Sequence, residues 1–284
     1  MLEGGPFLTI STYRHAGLTL PYQDSGRGEA VLLLHGFPED VASWTGVAAR
    51  LHAAGYRTLI PAMRGYTATA TPPSRRAYTI DALVTDLIAL LDHLKLRRVH
   101  VVGHDWGGLL AWELAMRVPH RCQSLTVLGT PHPQAMVWSY THSTQLLHSA
   151  YIGGFQLPHW PERLVARGLH DWLIKAGLNP ADTARLTATF RHPATLTGPL
   201  NWYRALLLPH QPKVADSKLY VPTTYVWGRH DPFLGRAAAT KTAAFVAADY
   251  RFVVLNAGHW LPENRPEVTA QLILDRMRRG SAAH

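Results

Sequence analysis

Three polar side chains in this sequence stand among neighbours that would let them react. Asp105 sits in the string Gly103-His104-Asp105-Trp106-Gly107-Gly108. Small residues two positions to either side allow a tight strand-to-helix turn, which exposes the central side chain and aims the next backbone N–H inward. Asp231 follows in Gly228-Arg229-His230-Asp231-Pro232, and His259 in Ala257-Gly258-His259-Trp260. Nucleophile, then acid, then histidine is a workable chain order. The acid fixes the imidazole tautomer, and the imidazole activates water. An aspartate attacking an acyl group would give a labile anhydride. It suits a saturated carbon bearing a leaving group, with which it makes an alkyl-enzyme ester. In His35-Gly36-Phe37-Pro38, Gly36 lets the backbone turn so that the Phe37 N–H can join the Trp106 N–H in a two-donor oxyanion hole.

The elements that must carry these residues are legible as hydrophobic runs. Ala30–Leu34 is continuously apolar, the pattern of a strand buried on both faces. Arg57–Pro61 and Val99–Gly103 read the same way, and Leu125–Leu128, Val221–Gly228 and Arg251–Leu255 extend the set. Phe7–Tyr13 and Leu18–Gln23 flank a His-Ala-Gly turn and predict an antiparallel hairpin, and Asp24–Gly28 predicts a loop. Ile80, Leu83, Val84, Leu87, Leu91 and Leu94 recur at helical spacing behind Thr79, a fitting N-cap. Helices are also expected at Leu109–Val118, around Ala237–Ala247 and near Glu267–Arg278. Strand–helix alternation argues a mostly parallel sheet with helices on both faces, whose chemistry collects at the carboxyl ends of the strands. After Leu125–Leu128 comes Thr130-Pro131-His132, which offers no carboxylate to rival Asp231. Between about His132 and Pro212 no buried strand run appears, and four of the nine tryptophans gather there. The expected organisation is an α/β core over 1–132 and 213–284 with a helical cap over 133–212.

Composition bounds the function. The chain has 284 residues, 47% hydrophobic and 17% charged, enough for a sizeable core and unlike a disordered or low-complexity chain. The net charge is +9, carried by 23 arginines and 5 lysines. The arginines are scattered as singles and pairs, without the basic run of a nucleic-acid surface, so no nucleic acid is expected. No apolar run reaches the roughly 20 residues a spanning helix needs, and the start MLEGGPFLTI lacks a signal pattern, so no membrane is expected. One cysteine, Cys122, excludes an internal disulfide and a multi-cysteine zinc site; a cytoplasmic address fits. His100 and His104 lack a third ligand and make no credible zinc pair. No metal and no cofactor is expected. A homodimer is compatible with the sequence.

Several strings together resemble one family. HGFPED (His35–Asp40), RGY (Arg64–Tyr66), GHDWGG (Gly103–Gly108), YIGGFQLP (Tyr151–Pro158), NWYR (Asn201–Arg204), GRHDPF (Gly228–Phe233) and GHWLPENRPE (Gly258–Glu267) resemble the epoxide hydrolases of the α/β-hydrolase fold over nearly the whole length. The resemblance implies that fold, a small apolar epoxide as substrate and a vicinal diol as product. It implies Asp105 as nucleophile, with Asp231 and His259 completing the triad. It also implies that Tyr203 and a second cap tyrosine grip the epoxide oxygen. Tyr151 fits the second position, four residues before Phe155-Gln156, with Tyr140 a rival. The alternatives are a haloalkane dehalogenase, with the same nucleophile and a halide leaving group, and a non-catalytic small-molecule receptor. Dehalogenases of similar sequence place an Asn where Phe37 stands or a second Trp in the cap, and a phenylalanine side chain cannot donate. One departure is visible: the family has an Asp shortly before Arg-Gly-Tyr and a Gly after it, where this chain has Ala62-Met63 and Thr67. That loop is expected at the pocket rim, bearing on substrate shape.

Overall fold

A computed structural model describes residues 9–208 and 218–281. It begins with an antiparallel hairpin, β1 (Thr9–His15) and β2 (Leu18–Gly26). The two residues between them, Ala16 and Gly17, both have positive φ, as a two-residue hairpin turn requires. Phe7 and Leu8, expected in the first strand, lie outside the described residues. The loop expected over Asp24–Gly28 is shorter than that. β2 runs on to Gly26 because its end pairs with the fourth strand, and the Asp24 carboxylate takes two hydrogen bonds from Arg57 (2.7 and 2.6 Å).

The remaining strands are β3 (Ala30–Leu34), β4 (Arg57–Pro61), β5 (Val99–His104), β6 (Cys122–Leu128), β7 (Thr223–Gly228) and β8 (Tyr250–Leu255). They form one eight-stranded sheet in the order β1-β2-β4-β3-β5-β6-β7-β8, parallel from β4 onward. β6 starts three residues before the run Leu125–Leu128 because Cys122 and Ser124 also pair with β5. β7 starts after Pro222, which has no N–H to give a ladder. β3 and β5 are buried at every position, as their continuous apolar runs demand.

Alternate residues of these central strands feed two cores. Leu32, Leu34 and Val101 pack with α2 (Ile80–His93) and α3 (Trp106–Arg117). Val31, Leu33 and Val102 pack with α1 (Thr45–Ala53) and, at the chain end, α12 (Pro266–Ser281). Helices therefore cover both faces. The Thr79 hydroxyl accepts the Ala82 N–H and starts α2, as expected. α1 carries no helical periodicity strong enough to be expected, because its buried stripe is only Val47, Ala48 and Leu51.

Between β6 and β7 lie α4 (Pro133–His142), α5 (Gln145–His148), α6 (Tyr151–Gly154), α7 (Trp160–Lys175), α8 (Pro180–Thr189) and α9 (Pro193–Ala205). No strand interrupts them among the described residues. The expected end of this segment, at 212, falls within 209–217 and so lies outside the described residues. Polar side chains tie the helices to the sheet layer. Arg185 of α8 is bound to Asp40. The Trp202 indole N–H donates to the Arg64 carbonyl (2.8 Å), and Gln145 bridges to Phe233 and Gly235 (both 2.8 Å). After β7, α10 (Arg236–Lys241) is shorter than the expected helix and passes into a 3₁₀ turn, Thr242–Phe245. α11 (Leu261–Asn264) then precedes α12.

Candidate active site

β5 delivers Asp105 to the carboxyl edge of the sheet on a strained turn. Its φ is 50° and ψ −120°, sparsely populated for any residue with a Cβ. The flanking glycines make that turn possible by close approach. A Cβ on Gly103 would lie 2.2 Å from the Gly107 carbonyl oxygen, and one on Gly107 would lie 2.1 Å from that of Leu34. The Thr130 hydroxyl holds the Asp105 carbonyl (2.6 Å). The side chain, exposed over about a fifth of its surface, is thus presented above α3.

Both Asp105 oxygens have partners that suit a nucleophile. Oδ1 accepts the Phe37 N–H at 2.9 Å, and Oδ2 lies 3.6 Å from Nε2 of His259. Trp106 is the first residue of α3, where backbone N–H groups have no partner within the helix. On the other side of the imidazole, His259 Nδ1 donates to Asp231 Oδ2 at 2.7 Å. The second oxygen of Asp231 accepts the N–H groups of Phe233 (2.8 Å) and Leu234 (3.0 Å), so its side chain is wholly buried yet satisfied. Burial alone would lower the His259 pKa. The Asp231 charge and hydrogen bond, helped by Asp105, outweigh it and hold the pKa above the ordinary value.

Opposite the nucleophile stand the phenols. Tyr203 is 4% exposed; its ring lies 4.9 Å from Trp106 and 5.5 Å from Phe37, centroid to centroid. Tyr151 is 6.1 Å from Tyr203 and keeps 37% of its surface exposed, so it stands at the mouth. Burial and the Asp105 charge raise both phenol pKa values, so both remain protonated donors at neutral pH; the Tyr203 hydroxyl beside Tyr151 pulls the latter back in part. Burial raises the pKa of Tyr140, the rival candidate, as well. Residues that the sequence reading did not single out complete the walls. Phe155 lies 5.1 Å from Tyr203, and Phe233 lies 5.0 Å from His259 and 5.4 Å from Trp172. Aromatic residues are too common in such a segment for spacing to have marked these.

Two other parts of the sequence take structural places. The Arg64–Tyr66 string packs beside the Phe37 loop, with Tyr66 close enough to feel the Asp105 charge. Arg64 is buried in a two-bond pair with Asp86 (2.7 and 2.6 Å), and the Tyr66 hydroxyl donates to the Gly36 carbonyl (3.0 Å). The string therefore buttresses the oxyanion loop and α9, and its residue types answer to packing. His100 and His104 share no ligand site, because their rings serve different partners. His100 bonds Ser124 (2.8 Å), whereas His104 bonds Glu39 and the His259 carbonyl.

An exposed carboxylate on a strand-to-helix elbow, with acid and histidine on later strand ends of the same parallel sheet, defines an α/β-hydrolase architecture. Residues 29–174 match the family model described as alpha/beta hydrolase fold. The chain is 36% identical to AB hydrolase superfamily protein YfhM of Bacillus subtilis (strain 168), over 92% of this chain and 95% of that protein. It is 32% identical to human Epoxide hydrolase 4, over 92% of this chain and 76% of that one. The crystal structure of epoxide hydrolase VrEH1 from Vigna radiata superposes with a TM-score of 0.82 at 26% identity, covering 96% of this chain and 98% of that one. The chain belongs to the α/β-hydrolase family and, within it, to the epoxide hydrolases; it is a hydrolase.

Proposed function

We propose that the chain converts an apolar epoxide and water to a vicinal diol through an ester on Asp105. One observation carries this reading: a single carboxylate is held by the Phe37 N–H on one oxygen and faces His259 with the other, beneath two protonated phenols. Asp105 attacks an epoxide carbon in line. The C–O bond of the ring breaks, and Tyr151 and Tyr203 supply the proton that the departing oxygen needs, general acid catalysis worth about 10²–10⁴-fold. His259, oriented by Asp231, then deprotonates a water that attacks the ester carbonyl of Asp105. The Phe37 and Trp106 N–H groups receive the developing oxyanion. The diol leaves with an oxygen that began in Asp105.

The helices over 133–212 act in this reading as a cap that brings the phenols, on a core of 1–132 and 213–284. The aromatic walls, Phe37, Phe155, Phe233 and Trp172, support an apolar substrate. A cytoplasmic address is supported by Cys122, whose thiol is buried and pushed up to about 12, so nothing calls for an oxidising compartment. Among the described residues no helix is long and apolar enough to cross a membrane. Leu146, Leu147, Leu157, Trp160 and Leu164 are exposed on the helical segment and support a homodimer.

A single turnover in ¹⁸O-water, with enzyme in excess over an epoxide such as styrene oxide, tests the mechanism. Label should enter the peptide containing Asp105 and leave the diol unlabelled. Labelled diol with an unlabelled peptide would mean that Asp105 only activates water. Release of halide from haloalkanes, with no diol from epoxides, would move the chain to the dehalogenases.

A further inference from the structure

Behind His259 lies a buried cluster that the reaction above does not use. Glu39 and His104 are both 0% exposed. Glu39 Oε2 accepts the N–H of Gly36 at 2.5 Å, one residue before the oxyanion donor Phe37. Glu39 Oε1 is hydrogen-bonded to His104 Nδ1. His104 Nε2 lies 3.0 Å from the carbonyl oxygen of His259, and the two rings are 4.7 Å apart. A carbonyl oxygen only accepts, so Nε2 carries a proton. The contact between Nδ1 and Glu39 needs a second proton, because an imidazole lone pair and a carboxylate oxygen repel. The Glu39–His104 pair therefore carries no net charge, and it ties the oxyanion loop to the loop that bears the base.

Glu263, on α11, is the third member. Its carboxylate, the Glu39 carboxylate and the His104 ring bring oxygen and nitrogen atoms within 4.8 Å of one another. Both Glu263 oxygens are buried without a well-formed hydrogen bond, with the Ser43 hydroxyl and the residue's own N–H near them. Arg185 of α8 also reaches Ser43, but its guanidinium is engaged by Asp40 and Asp182. Asp105, His259 and Asp40 face Glu39 from the remaining sides. An ionised Glu263 would be a buried negative charge without a compensating partner, which is costly. Burial, with the charge of Glu39, pushes its pKa up to about 8. Burial, with the charge of Asp105, does the same to Glu39.

We propose that Glu263 is a positioning residue for the hydrolytic half-reaction: as a neutral acid it leaves Glu39 and His104 to lock the two loops together, and on ionising it competes for their shared proton and loosens the lock. The inference rests on His259 being the water-activating base. No group in the cluster touches the reacting atoms. It acts only through the placement of the Phe37 N–H and His259.

The test follows ester hydrolysis in single turnovers with styrene oxide, and thermal unfolding, from pH 6.5 to 9.5 in wild type and Glu263→Gln. Glutamine keeps the shape and cannot ionise. In wild type, hydrolysis should fall by about fivefold or more as pH rises through about 8, while in Glu263→Gln it should change by less than about twofold over the same range. Alkylation of Asp105 should show no such contrast. Because the folded-state pKa of Glu263 lies above its unfolded value, its contribution to stability is complete below about pH 4.3 and is lost as pH rises through about 8. The Tm of Glu263→Gln should therefore gain on wild type from pH 6.5 to about 8 and stay level above it. The same alkaline fall in both proteins, or a Tm difference independent of pH, would overturn the proposal. Should the variant fail to fold, carboxyl ¹³C NMR of the wild type decides: no glutamate titrating above pH 7 rules the proposal out. Wild type that turns over no epoxide would count against the proposed function, whereas the Tm comparison with Glu263→Gln still reads Glu263 by itself.

Discussion

The sheet edge and the helical segment hold their halves of the site by different means. At the sheet edge each reacting group is fixed by its own backbone. Asp105 sits on a strained turn between β5 and α3, Asp231 accepts two amides of its own loop, and His259 follows β8 directly. In the helical segment, Tyr151 and Tyr203 lie 52 positions apart on helices whose placement depends on long-range ties. Arg204, beside Tyr203, pairs with Glu162 of α7 in a buried contact (2.7 Å) and also holds the carbonyls of Phe155 and Leu157 (both 2.9 Å). The edge is thus built for one geometry. The phenols stand wherever the helices dock. Changes at the edge should abolish a chemical step outright, and changes in the helical segment should weaken a step in proportion to how firmly the phenol is held.

His259→Gln should give the largest effect. Turnover should fall by roughly 10⁴–10⁶-fold, the range seen when a triad member is removed. Asp105 should still accept the alkyl group, so intact-protein mass spectrometry should show a stable adduct. Saturated binding without an adduct would mean that His259 does more than activate water.

Next come the phenols, which should differ from each other. Tyr203→Phe should lower the alkylation rate by about 10²-fold, and Tyr151→Phe by about tenfold, since Tyr203 is the more deeply buried of the two residues. Tyr140→Phe should stay within about twofold, because it is Tyr151 whose ring packs against Tyr203. Stopped-flow tryptophan fluorescence would report the three rates. A reversed order of Tyr140 and Tyr151 would reassign the second phenol.

The two half-reactions should also part with pH. His259 must be neutral to take a proton, and its pKa is raised, so hydrolysis should decline as pH falls through a value above about 6.5. Alkylation, which does not use His259 as a base, should show no matching decline over that range. Single-turnover profiles with coincident acid limbs would remove the distinction.

Arg204→Met should have the smallest effect on the chemistry and a clear one on the scaffold. Leaving Glu162 buried without its partner should destabilise the fold by about 3 kcal/mol, read by urea unfolding, while kcat falls only several-fold. Unchanged stability would show that the helical segment does not depend on this pair.

Much of the edge was readable before the structure because its signals are local. Five apolar residues in a row specify β3, and glycines two positions either side of Asp105 specify the elbow, since both are matters of burial and close approach along the chain itself. The order Asp105, Asp231, His259 followed from counting strand ends. The tertiary structure decided the rest. It placed Arg64–Tyr66 against Asp86 and Gly36, and it set Tyr151 against Tyr203. It also brought Glu39, His104 and Glu263 together from three distant segments. Each of these residues could have been an ordinary surface or core residue by its neighbours in sequence. What made them otherwise is contact across 22 to 224 positions, and such contacts exist only once the sheet has closed and its burial has removed the water that would have solvated each group alone.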